Sequence, residues 1–144
     1  MKNKVRAVID TNVVVSAVLL PRSVSRRAFD FVVLQAQLLV SEETLVELDE
    51  VLRRPKFSKY ISEKQRLDFF AALVRKADVI QVSDVITDCR DNKDNKFLEL
   101  AISGEASHII SGDNDLLILN PFRSVVISSP ATFLEMCKNI NSTS

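Results

Sequence analysis

The spacing of the short apolar, β-branched runs constrains this chain more than any other feature. Such runs fall at residues 5–9, 38–40, 79–82, 107–111 and 125–127. The segments between them mostly carry helical periodicity and helix signals. Asp10-Thr11-Asn12 can cap a helix running through Leu20, and Ser25 opens a second to about Gln37. Ser41 caps residues 42–53, where Leu45, Leu48 and Leu52 share a face, and Pro55 ends that helix. Ser62 and Gln65 form a capping box for a helix to Lys76. Asp94 begins a helix that turns Phe97, Leu98, Ala101 and Ile102 inward and stops at Gly104. Ser129-Pro130 starts the last helix. Short strands alternating with helices predict a three-layer α/β/α domain around a mostly parallel five-stranded sheet. Residues 1–138 form the expected single domain, with a polar, frayed tail at 139–144.

Composition removes several chemistries. With only Gly104 and Gly112, no glycine-rich phosphate loop is possible. A single histidine, His108, rules out a two-histidine acid–base mechanism. It lies within the fourth strand, where a packed or edge histidine is favoured over a ligand. Cys89 and Cys137 make neither a disulfide framework nor a CxxC pair, and a structural role is favoured for both. The apolar stretch before Asp10 is too short for a signal-peptide core, and no run reaches the ~18 apolar residues of a membrane span. The expectation is a soluble cytoplasmic protein without a membrane partner. Formal net charge is zero, so any nucleic-acid partner must be argued from where the charges sit.

The acids are placed suggestively. Sites in open parallel sheets form at the carboxyl ends of strands. Asp10 follows the first strand, Glu47 lies in the helix after the second, Asp94 opens the helix after the third strand and its loop, and Asp113 and Asp115 follow the fourth. Each has a plainer explanation: Asp10 and Asp94 as helix caps, Asp113 and Asp115 as turn residues. Glu43 and Glu50 read as a solvated stripe, and Asp84, Asp88 and Asp91 as loop solvation, although Asp91 is close enough to matter. Taken together, acids follow successive strands with almost no compensating base at those turns. Crowded carboxylates raise one another's pKa, and a hard divalent cation is the usual reason to tolerate them. Magnesium and manganese take oxygen ligands, and two such ions roughly 3.5–4 Å apart clamp an in-line phosphoryl displacement.

The segments VIDTNVVVSAVL, SEETLVELDEVLRRPKF, CRDNKDNKFLELA and HIISGDNDLL resemble the PIN-domain ribonucleases, in the branch often found as the toxin of bacterial type II toxin–antitoxin pairs. The resemblance runs from Val8 to about Phe133, with the motifs in the family's order and spacing. It implies a PIN-like fold and metal-dependent endonuclease action on single-stranded RNA, leaving a 5′-phosphate and a 3′-hydroxyl. By position, Asp10, Glu47, Asp94 and Asp113 match the family's catalytic and metal-holding acids, and Asp115 matches an accessory one. Asn12 matches the polar residue that orients the first aspartate. Ser111 stands where threonine or serine is usual, holding a water at the metal or merely ending a strand. Asp91 matches an extra acid of this branch. The implied cofactor is Mg2+ or Mn2+, and the implied partners are a small antitoxin protein and a second copy of the chain.

RNA requires cations near the acidic rim. Arg53, Arg54, Lys56 and Lys59 surround Phe57 and Tyr60, a basic stretch with aromatics able to hold phosphates and stack bases. Arg22, Arg26 and Arg27 form a second group, and Arg90, Lys93 and Lys96 a third; a solvated surface explains any one of them equally well. The apolar residues Phe29, Phe31, Val32 and Val33 offer a homodimer patch unless the core consumes them. Two alternatives compete. An aspartyl-phosphate-type phosphatase or phosphotransferase would also place Asp after the first strand, but usually needs a second aspartate where Asn12 stands. A non-catalytic binding module of the same fold would not need the complete acid set.

Overall fold

The structure, a computed structural model, describes the backbone of residues 5–142 and the side chains of residues 5–138. Five strands, all parallel, lie in the order β3-β2-β1-β4-β5: β1 Arg6–Ile9, β2 Gln37–Val40, β3 Asp78–Val79, β4 His108–Ile110 and β5 Val126–Ser128. The chain builds outward from β1 on one side, then returns to build outward on the other. The strand order therefore switches between β1 and β4, where Val8 pairs with Ile109 and Ile9 with Ile110. In such sheets the crevice beyond the strands' carboxyl ends at the switch is where ligands bind.

Alternation along the strands divides the apolar residues between two faces. Ala7, Ile9, Leu38, Val40 and Ile110 join the core under α1 (Thr11–Leu19), α2 (Val24–Gln35), α3 (Glu42–Leu52), α4 (Glu63–Lys76) and α7 (Pro130–Ser142). Val8, Leu39, Ile109 and Ile127 join the opposite core under α5 (Asn95–Ser103) and α6 (Asn114–Leu117). The three-layer arrangement expected from the sequence is thus present. Phe133 anchors the first core: it is fully buried and meets both Phe31 and His108 edge-on. His108 is half-buried there, and burial pushes its pKa down.

Several boundaries differ from the expected ones. Ser23, not Ser25, caps α2, accepting the Arg26 N–H at 3.1 Å. β3 has only two ladder residues in place of 79–82, as befits an edge strand with Val79 exposed. Gly104 ends α5 through packing and not through a left-handed backbone. A Cβ there would lie 2.8 Å from Leu39 Cδ1, while the positive φ of 56° belongs to Glu105. Helix α7 continues to Ser142, so backbone of the expected tail 139–144 is helical that far; the side chains of that tail lie outside the described residues. Among the described residues no helix is long and apolar enough to cross a membrane.

Candidate active site

At the switch point the ends of β1 and β4 are tied together by one hydroxyl. Asp10 caps α1, its Oδ1 accepting the Val13 N–H at 2.9 Å, and its backbone N–H donates to Ile110 O at 3.0 Å. Its Oδ2 accepts a short hydrogen bond from the Ser111 hydroxyl. Ser111 is fully buried, and its Oγ also accepts the Asp113 N–H at 3.0 Å. Asp113 in turn caps α6, accepting the Asp115 N–H at 2.9 Å. Capping therefore does not compete with a site role here. It fixes the orientation of each carboxylate at the ends of β1 and β4. Burial pushes the Asp10 pKa up; the Ser111 and Val13 hydrogen bonds oppose this, and the Asp113 charge reinforces it.

Asp94 lies at the entry to α5, after a 3₁₀ turn (Asn92–Asp94) capped by Asp91. Unlike Asp10 and Asp113 it makes no side-chain capping bond. Its Oδ2 is buried without a hydrogen-bond partner. Desolvation, a shared hydrogen bond with Asp113 that only a protonated carboxyl can donate, and the charges of Asp113, Asp91 and Asp10 together push its pKa to about 7. Asp10, Asp94, Asp113 and Asp91 thus feel one another electrostatically. A buried carboxylate oxygen with no donor is costly, and its natural complement is a cation.

The other acids are held by bases, contrary to the expectation that the turns lack them. Glu47 accepts a short bond from the Thr11 hydroxyl and pairs with Lys96 Nζ at 2.9 Å. Lys96 is nearly buried, and its ammonium also donates to Lys93 O. Thr11 and Lys96 thereby tie Glu47 to the segments that carry Asp10 and Asp94. Asp115 pairs with the exposed Arg90 at 2.5 Å. Among the described residues no three acidic, histidine or cysteine side chains already stand as a metal-ligating array. Asn12 is exposed and makes no hydrogen bond to Asp10 among the described residues; Ser111 and the Val13 N–H orient Asp10 instead. Sequence reasoning also missed Thr11 and Asn95, and it read Lys96 as a candidate RNA-binding cation and not as the partner of Glu47. Buried Asn95 accepts the Cys89 N–H at 2.8 Å and pins the loop before Asp91. Thr11 and Asn95 each adjoin a site aspartate, the one signal that pointed to them.

Of the expected RNA-binding cations, Arg53 is drawn to Asp49 at 3.0 Å, an acid it shares with Arg66 at 2.7 Å. Arg54 and Lys56 are exposed. The dimer patch is largely consumed: Phe29 and Val32 are buried, and Phe31 and Val33 pack against the same core.

Residues 6–115 match the PIN domain family. The chain belongs to that family. The matched span takes in Asp10, Glu47, Asp94, Asp113 and Asp115. An uncharacterized protein of Methanocaldococcus jannaschii is 32% identical over 120 residues, covering 82% of this chain and 77% of the relative. In the fold, the chain is similar to VapBC2 from Rickettsia felis, solved bound to a DNA fragment from their promoter. That match has a TM-score of 0.58 and 14% identity, and covers 86% of this chain and 98% of the other. PIN domains are generally nucleases and typically work with divalent metal ions. The donors of this PIN domain suit such an ion: they are carboxylate oxygens, and Asp94 brings one that no described residue satisfies.

Proposed function

We propose that this PIN domain is a cytoplasmic, magnesium- or manganese-dependent endoribonuclease that hydrolyses single-stranded RNA. The observation that carries this reading is the unpartnered Asp94 oxygen facing the charges of Asp113, Asp91 and Asp10 at the switch between β1 and β4. Asp10, Asp94 and Asp113 would hold the cation, with Glu47 and Asp115 alongside once released from Lys96 and Arg90. A bound divalent cation supplies charge neutralisation and Lewis-acid polarisation at the phosphodiester. Ser111 keeps Asp10 and the start of α6 in register, and Lys96 balances the Glu47 charge. The chain's contribution is thus to position oxygens; burial and mutual repulsion hold Asp10 and Asp94 toward the protonated form, and a bound cation would favour the ionised one. Labelled RNA and DNA oligonucleotides, single- and double-stranded, incubated with magnesium, manganese or excess EDTA, test this directly. Single-stranded RNA should be cut only with metal; undiminished cutting in EDTA would sink the reading.

The likeness to VapBC2 and the motif set support a further reading, that the nuclease is the toxin of a pair and is held by a small antitoxin. A short reading frame beside this one, whose product binds the chain and suppresses cleavage, is the expected result. A homodimer is also proposed, with Leu34, 74% exposed on α2 beside Phe31 and Val33, as its apolar contribution. Light scattering at micromolar concentration should report a dimer, and a monomer refutes it.

Arg53, Arg54 and Lys56 are proposed to hold RNA backbone phosphates. Alanine at all three should weaken binding and flatten its salt dependence, the slope falling by roughly 0.7 for each phosphate of a single strand that is no longer neutralised. Arg53 should contribute least, since Asp49 already neutralises it. Unchanged binding with collapsed turnover would move these residues from binding to chemistry.

A further inference from the structure

Asn12 does not face Asp10, and where it does face is informative. With Val15, Ser16, Leu19, Phe57 and Tyr60 it lines a cavity of about 410 Å³. Small-ligand sites span about 300–1,000 Å³. Asn12, Ser16 and Leu19 follow helical spacing along one face of α1, and the two aromatics face them from the segment after α3. We propose that this cavity is a nucleobase subsite that takes an adenine of the single-stranded RNA beside the cleaved phosphate. The inference deepens the nuclease reading and rests on it.

Four observations carry it. Tyr60 is 58% exposed, an aromatic face offered to solvent that the core does not use. Lys59 Nζ lies 5.2 Å from its ring centroid and Lys56 Nζ 5.1 Å from that of Phe57, so each ring is accompanied by a cation. Ring and ammonium together match a base and its phosphate, the pairing by which proteins hold single strands. Asn12 supplies the polar group. Its amide has no hydrogen-bond partner among the described residues and presents one donor and one acceptor edge. That edge complements adenine N7 and N6, and a purine offers the larger stacking face. Finally, Asn12 lies in the same first turn of α1 that Asp10 caps. On this proposal, a strand whose phosphate reaches Asp10 sets a neighbouring base in the cavity.

The chain has one tyrosine and no tryptophan, so its intrinsic emission reports Tyr60 alone. Full-length protein in EDTA is titrated with short adenylate and uridylate RNA oligonucleotides. Saturable quenching is expected, stronger and at lower concentration for adenylate. By anisotropy of labelled adenylate RNA, Tyr60→Ala should bind about five- to 150-fold more weakly, the range that corresponds to ~1–3 kcal/mol of base stacking. Tyr60→Phe should keep the affinity while losing the signal. Asn12→Ala should erase the adenylate preference and leave weaker, unselective binding. If neither RNA alters Tyr60 emission while the protein cuts RNA with magnesium, the subsite is wrong and the nuclease reading stands. If the protein neither binds nor cuts RNA, the nuclease reading falls and takes the subsite with it. Emission that changes with protein concentration alone assigns the cavity to a second copy of the chain and overturns the proposal.

Discussion

Asp94→Asn is expected to abolish RNA cleavage and yet make the metal-free protein more stable. Both effects follow from one atom's surroundings. The Asp94 carboxyl has its pKa pushed to about 7 by desolvation first, then by Asp113, Asp91 and Asp10. For an acid raised in the folded state, relative stability is fully present below the unfolded pKa near 3.8. It is lost progressively as pH rises to about 7, because folding then forces a charge into a site that resists it. Asn carries no charge and keeps nearly the same shape. The carboxyl is partly open to water and shares its proton with Asp113, so screening reduces the gain to about 1–2 kcal/mol at pH 7.5. Melting temperature should rise by about 3–8 °C in EDTA. Near pH 4 the difference should vanish. Magnesium should raise the melting temperature of the wild type more than that of the variant, because only the wild type offers the unsatisfied oxygen. If Asp94 served only to charge the start of α5, Asn would be neutral or mildly harmful at every pH, and the magnesium response would be unchanged. Melts across pH 4–8, with EDTA and with magnesium, separate the two.

Physical reasons decide which parts of the site are legible in the sequence. The strand runs and caps are local, so the three layers, the Ser41 cap and the Ser62–Gln65 capping box can be read residue by residue. The position of Asp10 and Asp113 at the sheet's switch point follows from strand order, which the acids after each strand anticipate. What the sequence hides is pairing between distant segments. Lys96 is 49 residues from Glu47, and Arg90 is 25 from Asp115, so the bases that compensate these acids look like a separate surface group until the chain folds. Asn12 misleads for the opposite reason. It adjoins Asp10 in sequence, but a helix turns successive side chains to different faces, and Asn12 faces Phe57 and Tyr60. The two-residue β3 illustrates a third limit, since 79–82 has strand composition but only its start reaches a partner, β2.

Ser111→Ala should lower cleavage at neutral pH by about 10–100-fold, the usual effect of removing a group that orients a ligand. The Ser111 hydroxyl is the largest influence holding the Asp10 pKa down against desolvation, ahead of the Val13 N–H. Without it a carboxylate that is 5% exposed loses a donor, and the Asp113 N–H loses its acceptor. The Asp10 pKa then climbs further. Since the ionised form is the one that binds a cation, the acid limb of the pH–activity profile should move to higher pH. Activity should be partly recovered by raising either pH or magnesium. Stability should respond with the opposite sign to Asp94→Asn. Where Asp10 is protonated, only ordinary hydrogen bonds are lost, that of the Asp113 N–H included, and the variant should lie below wild type by a small amount that does not change with pH. Above the folded pKa, where the charge must be carried without its donor, the loss should reach about 1.5–3 kcal/mol. The gap between the two melting curves therefore widens with pH, with the variant lower. If Ser111 merely ended β4, the loss would be small and independent of pH, and the activity profile would keep its acid limb in place. Paired pH–activity and pH–melting curves for Ser111→Ala distinguish a positioning hydroxyl from a strand end, and they do so even if cleavage proves too weak to measure at acid pH.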